Sequence, residues 1–455
     1  MGVLILGLPP GPSAPKLVQT TRWMRSPVKL MEDCRERYGE TFVLRMSRVG
    51  ELVFVSDPPS VKRLFSADRE NRLPEGRTVL LEPVLGRRSL LLLEGDDHLR
   101  SRRLMLPPFH GERMRAYEAV MGEAAERELD SWPVGERFAL HPRMQAITLE
   151  VILRAVFGVE DPARRERLRT LLVRLLDVTS SPTAQVVGLA SRRLGRIGPY
   201  RRLMRVMEEA DGALFEQIAE RRADPEVGER DDILSMLVAA RFQDGGQMDD
   251  AEVRDQLMTL LLAGHETTAT ALAWAFDLLF RRPDAMERLR AEIAEGHDAY
   301  LDAVATETLR VRPVVPSVGR LLTAEAKLGG YELPAGTAVM PSIYLVHTRD
   351  DLYDDPYEFR PERFLDGAPD TYSWIPFGGG TRRCLGAAFA SFEMKVVLRT
   401  ILRRAELRPG TDRPEPYGHR NVTLSPRNGT PALLDGRRPR HAAASREDEP
   451  AKVAG

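Results

Sequence analysis

The sequence predicts a mainly α-helical protein with a small β portion, an α+β fold. Apolar residues recur at spacings of three and four between positions 60 and 310, with Pro and Gly between the runs, which is typical of helices. Alternating runs at 41–45 and 51–55 predict a small hairpin near the start. Between 314 and 346 the pattern changes to short strands and turns.

Bulk composition limits the class of protein. The 455 residues are 43% hydrophobic, enough for a large core, and the net charge of −1 gives no reason to expect a nucleic-acid partner. The two cysteines exclude a disulfide scaffold, and no C-x-x-C pair is present for zinc or an iron–sulfur cluster. The apolar run at 3–8 is far shorter than the about 20 residues that span a bilayer. We therefore expect a soluble, cytoplasmic protein without a transmembrane anchor.

The domain organisation is predicted to be simple. No Pro/Gly-rich linker divides the chain, so residues 1–435 are expected to form a single domain, with 436–455 as a disordered C-terminal tail. The segment 163–200 combines many arginines with apolar residues. It has three interpretations: a mobile lid over an apolar pocket, a membrane-surface patch, or two ordinary amphipathic helices and a loop.

The longest predicted helix covers 249–282. Asp249 and Glu252 fit a capping box at its start, and Pro283 ends it. Its centre is apolar on nearly all sides, which indicates burial. Within that centre lies Ala263-Gly264-His265-Glu266-Thr267-Thr268.

This polar stretch is costly in a buried helix unless its groups have partners. It could be a locally bent helix whose Thr hydroxyls bond back to its own carbonyls. We favour a functional interpretation, because the small Gly264 lets a ligand approach and the pair Glu266 and Thr267 could relay protons. His265 is interpreted as structural.

Two further side-chain pairs, taken alone, are only weak evidence for a functional site. His98 and Arg102 share one helix face and could hold a carboxylate, although a solvated basic helix explains them as well. Glu307 and Arg310, three apart, resemble several surface pairs elsewhere in the chain. They differ in preceding the β-like region and lying upstream of Arg363, so that a buried Glu between two arginines could fix an irregular loop.

The cysteine-bearing loop covers 377–386, with Gly378, Gly379 and Gly380 before Cys384 and a predicted helix from 387. The glycines allow the loop to wrap closely around a bulky ligand. Backbone N–H groups at the helix start favour a thiolate. From these residues alone, the thiolate is either a nucleophile or a metal ligand.

Together these motifs resemble the cytochrome P450 superfamily of soluble, bacterial-type heme-thiolate monooxygenases. The loop matches the family's F-x-x-G-x-R-x-C-x-G pattern, and 263–268 matches A-G-x-[DE]-T-T. Glu307 and Arg310 match E-x-x-R, and Arg363 matches the arginine of P-E-R-F. The resemblance implies a long central helix over a heme, with the cysteine loop on the opposite face.

The resemblance also implies a role for each matched residue. Cys384 would be the axial thiolate ligand of heme b, and Phe377 would pack beside its sulfur. Gly380 and Gly386 would let the loop and the next helix approach the macrocycle. Ala263 and Gly264 would leave room for O2, Thr267 would hydrogen-bond it, and Glu266 would help to deliver protons. The heme propionates would be bound by four residues: His98, Arg102, Arg320 and Arg382.

The resemblance implies an enzyme that uses O2, an apolar small-molecule substrate and a separate electron donor, a ferredoxin or flavodoxin with an NAD(P)H-dependent reductase. A basic surface could dock this donor or be ordinary surface charge; it comprises Arg102, Arg103, Arg383, Lys395 and Arg399. Alternatives are a peroxide-driven or non-hydroxylating heme-thiolate enzyme and a heme-binding sensor without turnover. A cysteine-nucleophile hydrolase lacks a convincing His partner.

Overall fold

The structure is a computed structural model of the chain and describes residues 5–68, 70–73, 76–109, 111, 113–180, 199–367, 370–420 and 422–439. Much of the segment 163–200 lies outside these ranges, so its three interpretations stay open. Most of the tail predicted at 436–455 also lies outside them.

Helices form most of the described chain. They are α1 (Lys16–Arg25), α2 (Pro27–Tyr38), α3 (Pro58–Ser66), α4 (Gly76–Leu85), α5 (Gly95–Met105), α6 (Arg113–Asp130), α7 (Leu140–Val151), α8 (Pro162–Ser180), α9 (Pro199–Ala223), α10 (Ile233–Ala239), α11 (Asp250–Arg281), α12 (Pro283–Glu295), α13 (Ala299–Val311), α14 (Ile343–His347) and α15 (Ala387–Arg404). A π-helical turn, Ile152–Val156, continues α7.

The strands are short. They are β1 (Ile5–Leu6), β2 (Thr41–Met46), β3 (Gly50–Val55), β4 (Arg137–Ala139), β5 (Arg320–Leu321), β6 (Ala326–Leu328), β7 (Tyr331–Leu333), β8 (Ala338–Pro341), β9 (Ala405–Pro409), β10 (Tyr417–Arg420), β11 (Thr423–Pro426) and β12 (Pro431–Arg437). The α+β prediction is confirmed.

The predicted hairpin is confirmed and forms part of a larger sheet. Strands β2 and β3 pair antiparallel, with Thr41 opposite Val55. β8 adds parallel to β3 and β5 antiparallel to β8, giving the order β2-β3-β8-β5. The region 314–346 therefore supplies two strands of this sheet, although its end is helical from Ile343 because the Ser342 side chain caps α14.

The predicted long helix is α11, and its cap is confirmed. The Asp249 side chain accepts a hydrogen bond from the Glu252 backbone N–H, and the helix ends directly before Arg282 and Pro283. It packs against α7, α13 and α15 in the centre of the largest apolar core. Most of its residues are buried, but positions 260, 262–264 and 266–267 are at least partly accessible.

The end of the domain lies later than expected. Strand β12 pairs with β9 through Gly436 and Arg437, which face Glu406 and Ala405. These two residues were assigned to the tail, and the correction follows from their backbone pairing. Among the described helices, none is both long and apolar enough to cross a membrane.

Candidate functional site

The cysteine loop is held in shape by its own backbone and by α3. The Cys384 N–H donates to the Phe377 carbonyl at 2.9 Å, which closes the loop. Gly380 adopts φ +69°, a conformation that favours glycine, and any side chain there would clash with the Phe65 carbonyl and with Asp68. The Phe377 ring lies edge-on to Trp374, with centroids 6.0 Å apart. The loop therefore requires glycine because the end of α3 lies directly against it.

The Cys384 side chain is accessible, unlike that of the other cysteine, Cys34. The backbone N–H of Gly386, the N-cap of α15, hydrogen-bonds the sulfur and lowers its pKa, as do the charges of Arg102 and Arg383. Although the residue is exposed, the surrounding protein atoms desolvate its sulfur, which outweighs these groups and raises the pKa of the thiol. The helix start thus lowers the pKa of the thiol but does not offset desolvation, and a bound cation would be the charge that completes its ionisation.

The four residues predicted to bind propionates share one electrostatic neighbourhood. His98 is buried on α5, and desolvation, Arg382, Arg102 and Arg320 lower its pKa to about 4. His98 is therefore neutral near pH 7. Arg382 donates to the Leu93 carbonyl at 2.7 Å. The structure brings these side chains together from three distant segments of the chain, which favours the binding of carboxylates over a merely solvated basic helix.

In the centre of α11, positions 260, 262–264 and 266–267 are at least partly accessible, and we call them its accessible strip. They include the residues predicted to lie at the oxygen site. Ala263 is exposed in the middle of this mostly buried helix, and Gly264 is partly accessible. A Cβ at Gly264 would meet only the Ile152 Cδ1 atom, at 3.5 Å, so packing within the protein does not demand glycine. The Thr267 hydroxyl donates to the Ala263 carbonyl at 2.5 Å. This back-bond was the structural alternative for the motif, and it leaves the hydroxyl oxygen able to accept a second bond.

Glu266 lies in a polar cluster that the sequence did not indicate. Gln145 Nε2 donates to its Oε2 at 2.6 Å, while His141 Nε2 and Arg420 Nη1 lie 3.6 and 3.8 Å from Oε1. Oε1 is buried and has no hydrogen-bond partner. Desolvation raises the pKa of Glu266, opposed by Arg420 and Gln145. Burial therefore favours the protonated form of this carboxyl group more than water would.

The neighbouring His265 is suited to a structural role and not to proton exchange. Its Nε2 lies 3.1 Å from the Gln145 carbonyl, and burial lowers its pKa to about 4. The contact is consistent with the structural interpretation. Gln145, His141 and Arg420 were missed because they come from α7 and β10, more than a hundred residues from Glu266 in sequence, and no local pattern marks them.

Glu307 and Arg310 form a fully buried pair that organises the segment before the cysteine loop. Arg310 Nη1 donates at 2.7 Å to the carbonyls of both His347 and Pro356. Arg363 Nε donates to Glu307 Oε1 at 3.1 Å. The three predicted residues thus meet, and their hydrogen bonds fix an irregular stretch of backbone.

His347 completes this arrangement and was not predicted. Its Nδ1 lies 3.2 Å from the Arg310 carbonyl, and its Nε2 accepts the Ile375 backbone N–H at 2.8 Å. Burial lowers its pKa to about 3, so the ring is neutral and the proton is assigned to Nδ1. His347 therefore joins α13 to the segment that leads into Phe377.

This set of residues fits heme. An accessible thiol in a glycine loop offers an axial ligand, and a Cβ at Gly386 would meet no atom within 4 Å. Basic side chains around His98 match two carboxylates. Small residues on α11 leave its accessible strip open.

Comparison with known proteins gives the same family throughout. A family model described as "Cytochrome P450" matches residues 7–431. "Putative cytochrome P450 135B1" of Mycobacterium tuberculosis is 44% identical over 94% of this chain and 91% of its own length. "Putative cytochrome P450 137" of the same species is 39% identical over 93% and 90%.

Two solved structures share the fold. The retinoic-acid-bound cyanobacterial CYP120A1 has a TM-score of 0.80 at 24% identity and covers 95% of this chain and 100% of its own. The cytochrome P450DA heme domain has a TM-score of 0.82 at 23% identity and covers 96% and 99%.

Proposed function

Because the chain belongs to the cytochrome P450 family, we propose that it is a monooxygenase that inserts one oxygen atom of O2 into an apolar organic substrate. Heme b with a cysteine thiolate as axial ligand is the cofactor. One observation carries the assignment of that ligand to Cys384. The only other cysteine, Cys34, is 2% exposed among apolar side chains, whereas Cys384 is exposed in the glycine loop.

Bound heme supplies the redox chemistry that reduces O2 with two electrons, and its thiolate ligand favours O–O cleavage. The side chains of the protein orient the cofactor and supply protons to the oxygen site. Arg102, Arg320 and Arg382 would hold the carboxylates of the cofactor, with His98 as a neutral hydrogen-bonding neighbour. Glu266 would pass protons toward the accessible strip of α11, and the Thr267 hydroxyl oxygen would accept a hydrogen bond at the oxygen site, since its own proton is donated to the Ala263 carbonyl.

The pair Glu266 and Thr267 favours the O2 route over the alternatives. A peroxide-driven enzyme receives its oxygen already reduced and does not need an acid with a raised pKa at this position. A sensor without turnover needs no proton source there. The experiments below have outcomes that would support either alternative, or non-hydroxylating chemistry, in place of monooxygenation.

Electrons come from a separate donor, which we propose to be a ferredoxin or flavodoxin with an NAD(P)H-dependent reductase, acting with the enzyme in the cytoplasm. In the proposed docking surface, Lys395 pairs with Asp302 at 2.6 Å and Arg399 lies near two acids. Arg103 and Arg383 are exposed, so the electrostatic attraction of the electron donor depends mainly on these two side chains. Electron transfer that does not slow at high ionic strength would contradict this surface.

The substrate class is proposed to be an apolar molecule of medium to large size, such as a fatty acid, terpene, steroid or polyketide. The experiment is a spin-state titration of the ferric protein against a panel of these compounds. The best binder is then turned over with reductase, donor and ¹⁸O₂. One ¹⁸O atom in the product supports monooxygenation. Product that forms only with added peroxide supports the peroxide-driven alternative, and no turnover with any binder supports the sensor.

A further inference from the structure

The Glu266 carboxyl group is bound firmly at one oxygen only. Gln145 Nε2, from α7, donates to Oε2 at 2.6 Å. The other oxygen, Oε1, is buried and has no hydrogen-bond partner among the described residues. His141 Nε2 at 3.6 Å and Arg420 Nη1 at 3.8 Å lie beyond hydrogen-bond distance of it. The two oxygens of this side chain thus have different surroundings.

The Gln145 amide group is not needed to join α7 to α11. The Thr148 hydroxyl donates to the His265 carbonyl at 3.0 Å, and His265 Nε2 lies 3.1 Å from the backbone carbonyl of Gln145. Neither contact involves the side chain of Gln145. The two helices also pack together in the largest apolar core. The short bond from the amide group to Glu266 is therefore best explained by its effect on that carboxyl group.

This bond decides which oxygen of Glu266 carries a proton. A protonated carboxyl group has one hydroxyl oxygen and one carbonyl oxygen, and the carbonyl oxygen is the better acceptor. Because Oε2 accepts the hydrogen bond from Gln145, the proton belongs on Oε1. Burial favours the protonated form of Glu266, so the bond orients the form that can donate a proton.

Arg420 is the charged neighbour of Oε1. Its guanidinium lies on β10, and its charge opposes the rise that burial causes in the pKa of Glu266. The two nearby histidines are neutral near pH 7, because burial lowers the pKa of His141 to about 3 and that of His265 to about 4. α15 also packs against α11, but its Glu393 contacts a residue about 200° around the helix from Glu266.

We propose that Gln145 is a positioning residue for proton transfer by Glu266: its amide group binds Oε2 and so places the proton on Oε1, beside Arg420. When the O–H bond of Oε1 breaks, the proton passes to the oxygen site, and the Gln145 bond and the Arg420 charge stabilise the carboxylate that remains. A proton from solvent then restores the acid. The proposal rests on the role of Glu266 as an acid in the proposed function.

Infrared difference titration of the resting ferric holoprotein tests this arrangement without turnover. The carbonyl stretching band of protonated Glu266 is the band that Glu266→Gln lacks. Gln145→Met keeps the length of the side chain but has no N–H donor. We expect it to move this band to higher frequency, because the carbonyl oxygen loses its hydrogen bond, and the titration midpoint to higher pH, because the carboxylate loses it too. Gln145→Asn, one methylene shorter, gives the same test if Gln145→Met does not fold.

Variants of Arg420 separate the charge from the hydrogen bond. Arg420→Gln should move the titration midpoint to higher pH and leave the band frequency unchanged, because the Gln145 bond remains. Arg420→Lys keeps the charge and should titrate close to wild type. The control is Arg408→Gln, which removes an exposed arginine of β9 and should change neither readout. A wild-type midpoint in Arg420→Gln would overturn the part of the proposal that concerns Arg420.

Turnover shows whether the position of the carboxyl group matters to the reaction. In Gln145→Met, product formation should fall about tenfold, because the acid is no longer held in one orientation. Heme content and the substrate-induced spin shift should match wild type, since Thr148 still joins the two helices. A band at the wild-type frequency in Gln145→Met, or no band that Glu266→Gln removes, would overturn the proposal.

The proposal and the acid role of Glu266 fail in different ways. If Glu266→Gln is slow but Gln145→Met turns over at the wild-type rate, Glu266 is the acid and Gln145 does not position it, so only the proposal is overturned. If Glu266→Gln turns over at the wild-type rate, or the wild-type protein turns over no substrate that binds, the acid role fails and the proposal falls with it.

Discussion

Arg310 donates two short hydrogen bonds to Glu307, Nε to Oε2 at 2.6 Å and Nη2 to Oε1 at 2.7 Å, and neither side chain is exposed. A buried pair of this kind is costly to break from one side, because the remaining charge has no partner. We predict that Glu307→Gln lowers the free energy of unfolding by about 3–5 kcal/mol.

Urea denaturation checks this prediction. The control is Asp435→Asn, which removes an exposed ion pair to Arg408 at 2.9 Å and should cost less than about 1 kcal/mol. Equal losses in the two variants would show that the burial of the Glu307 pair has no energetic weight.

Glu393, on the helix that follows the cysteine loop, gives a prediction about pH. Burial raises its pKa to about 8, and the Thr268 hydroxyl opposes this only in part. Between its unfolded pKa near 4.5 and about 8, the folded protein holds a proton that the unfolded chain has released, so stability falls as pH rises through this window. In Glu393→Gln this contribution is absent, and its unfolding free energy should fall less between pH 5.5 and 8.

The measurement is urea denaturation at several pH values, with the exposed Glu36→Gln as the matched control. The control should follow wild type. A Glu393→Gln curve parallel to wild type across the window would mean that Glu393 is ionised in the folded protein at neutral pH.

The Thr267 hydroxyl is predicted to couple electron use to product. Thr267→Ala removes the hydroxyl from the accessible strip of α11, so more of the electrons should end in peroxide. Thr267→Ser keeps a hydroxyl with the same reach and should retain most of the coupling. NAD(P)H consumption, peroxide and product are measured with one substrate. Unchanged coupling in Thr267→Ala would contradict the assigned role.

Glu266 is predicted to hold the proton that this site uses. Glu266→Gln keeps the shape of the side chain but cannot transfer a proton, so product formation should slow by about a hundredfold. Heme content and the substrate-induced spin shift should be unchanged. Asp250→Asn, in the first turn of the same helix, is the control and should turn over at the wild-type rate. A Glu266→Gln enzyme as fast as this control would assign proton delivery to another group.

The parts of the site that the sequence predicted are those encoded by local spacing. The cap at Asp249, the hairpin at 41–55 and the glycine loop depend on residues a few positions apart, and their geometry follows from backbone rules. Arg363 meets Glu307 across 56 residues; it was predicted from its place downstream of Glu307 and Arg310 and from its match to the family's P-E-R-F motif.

The partners that the sequence did not predict are long-range contacts without a motif. Asp68 reaches Arg320 across 252 residues, and Gln145 reaches Glu266 across 121. A lone Asp after a helix and a lone Gln within one are ordinary surface residues by composition. Only the packing of α3 on the loop and of α7 on α11 buries them and gives them hydrogen-bond partners.

The identity of the heme ligand is the central claim, and one spectrum tests it. Cys384→Ser and Cys34→Ser are compared as reduced, carbon-monoxide-bound proteins. We predict that Cys384→Ser loses the thiolate-type Soret band, while Cys34→Ser, which changes the buried cysteine of α2, retains it. A thiolate-type band that persists in Cys384→Ser would contradict the assignment.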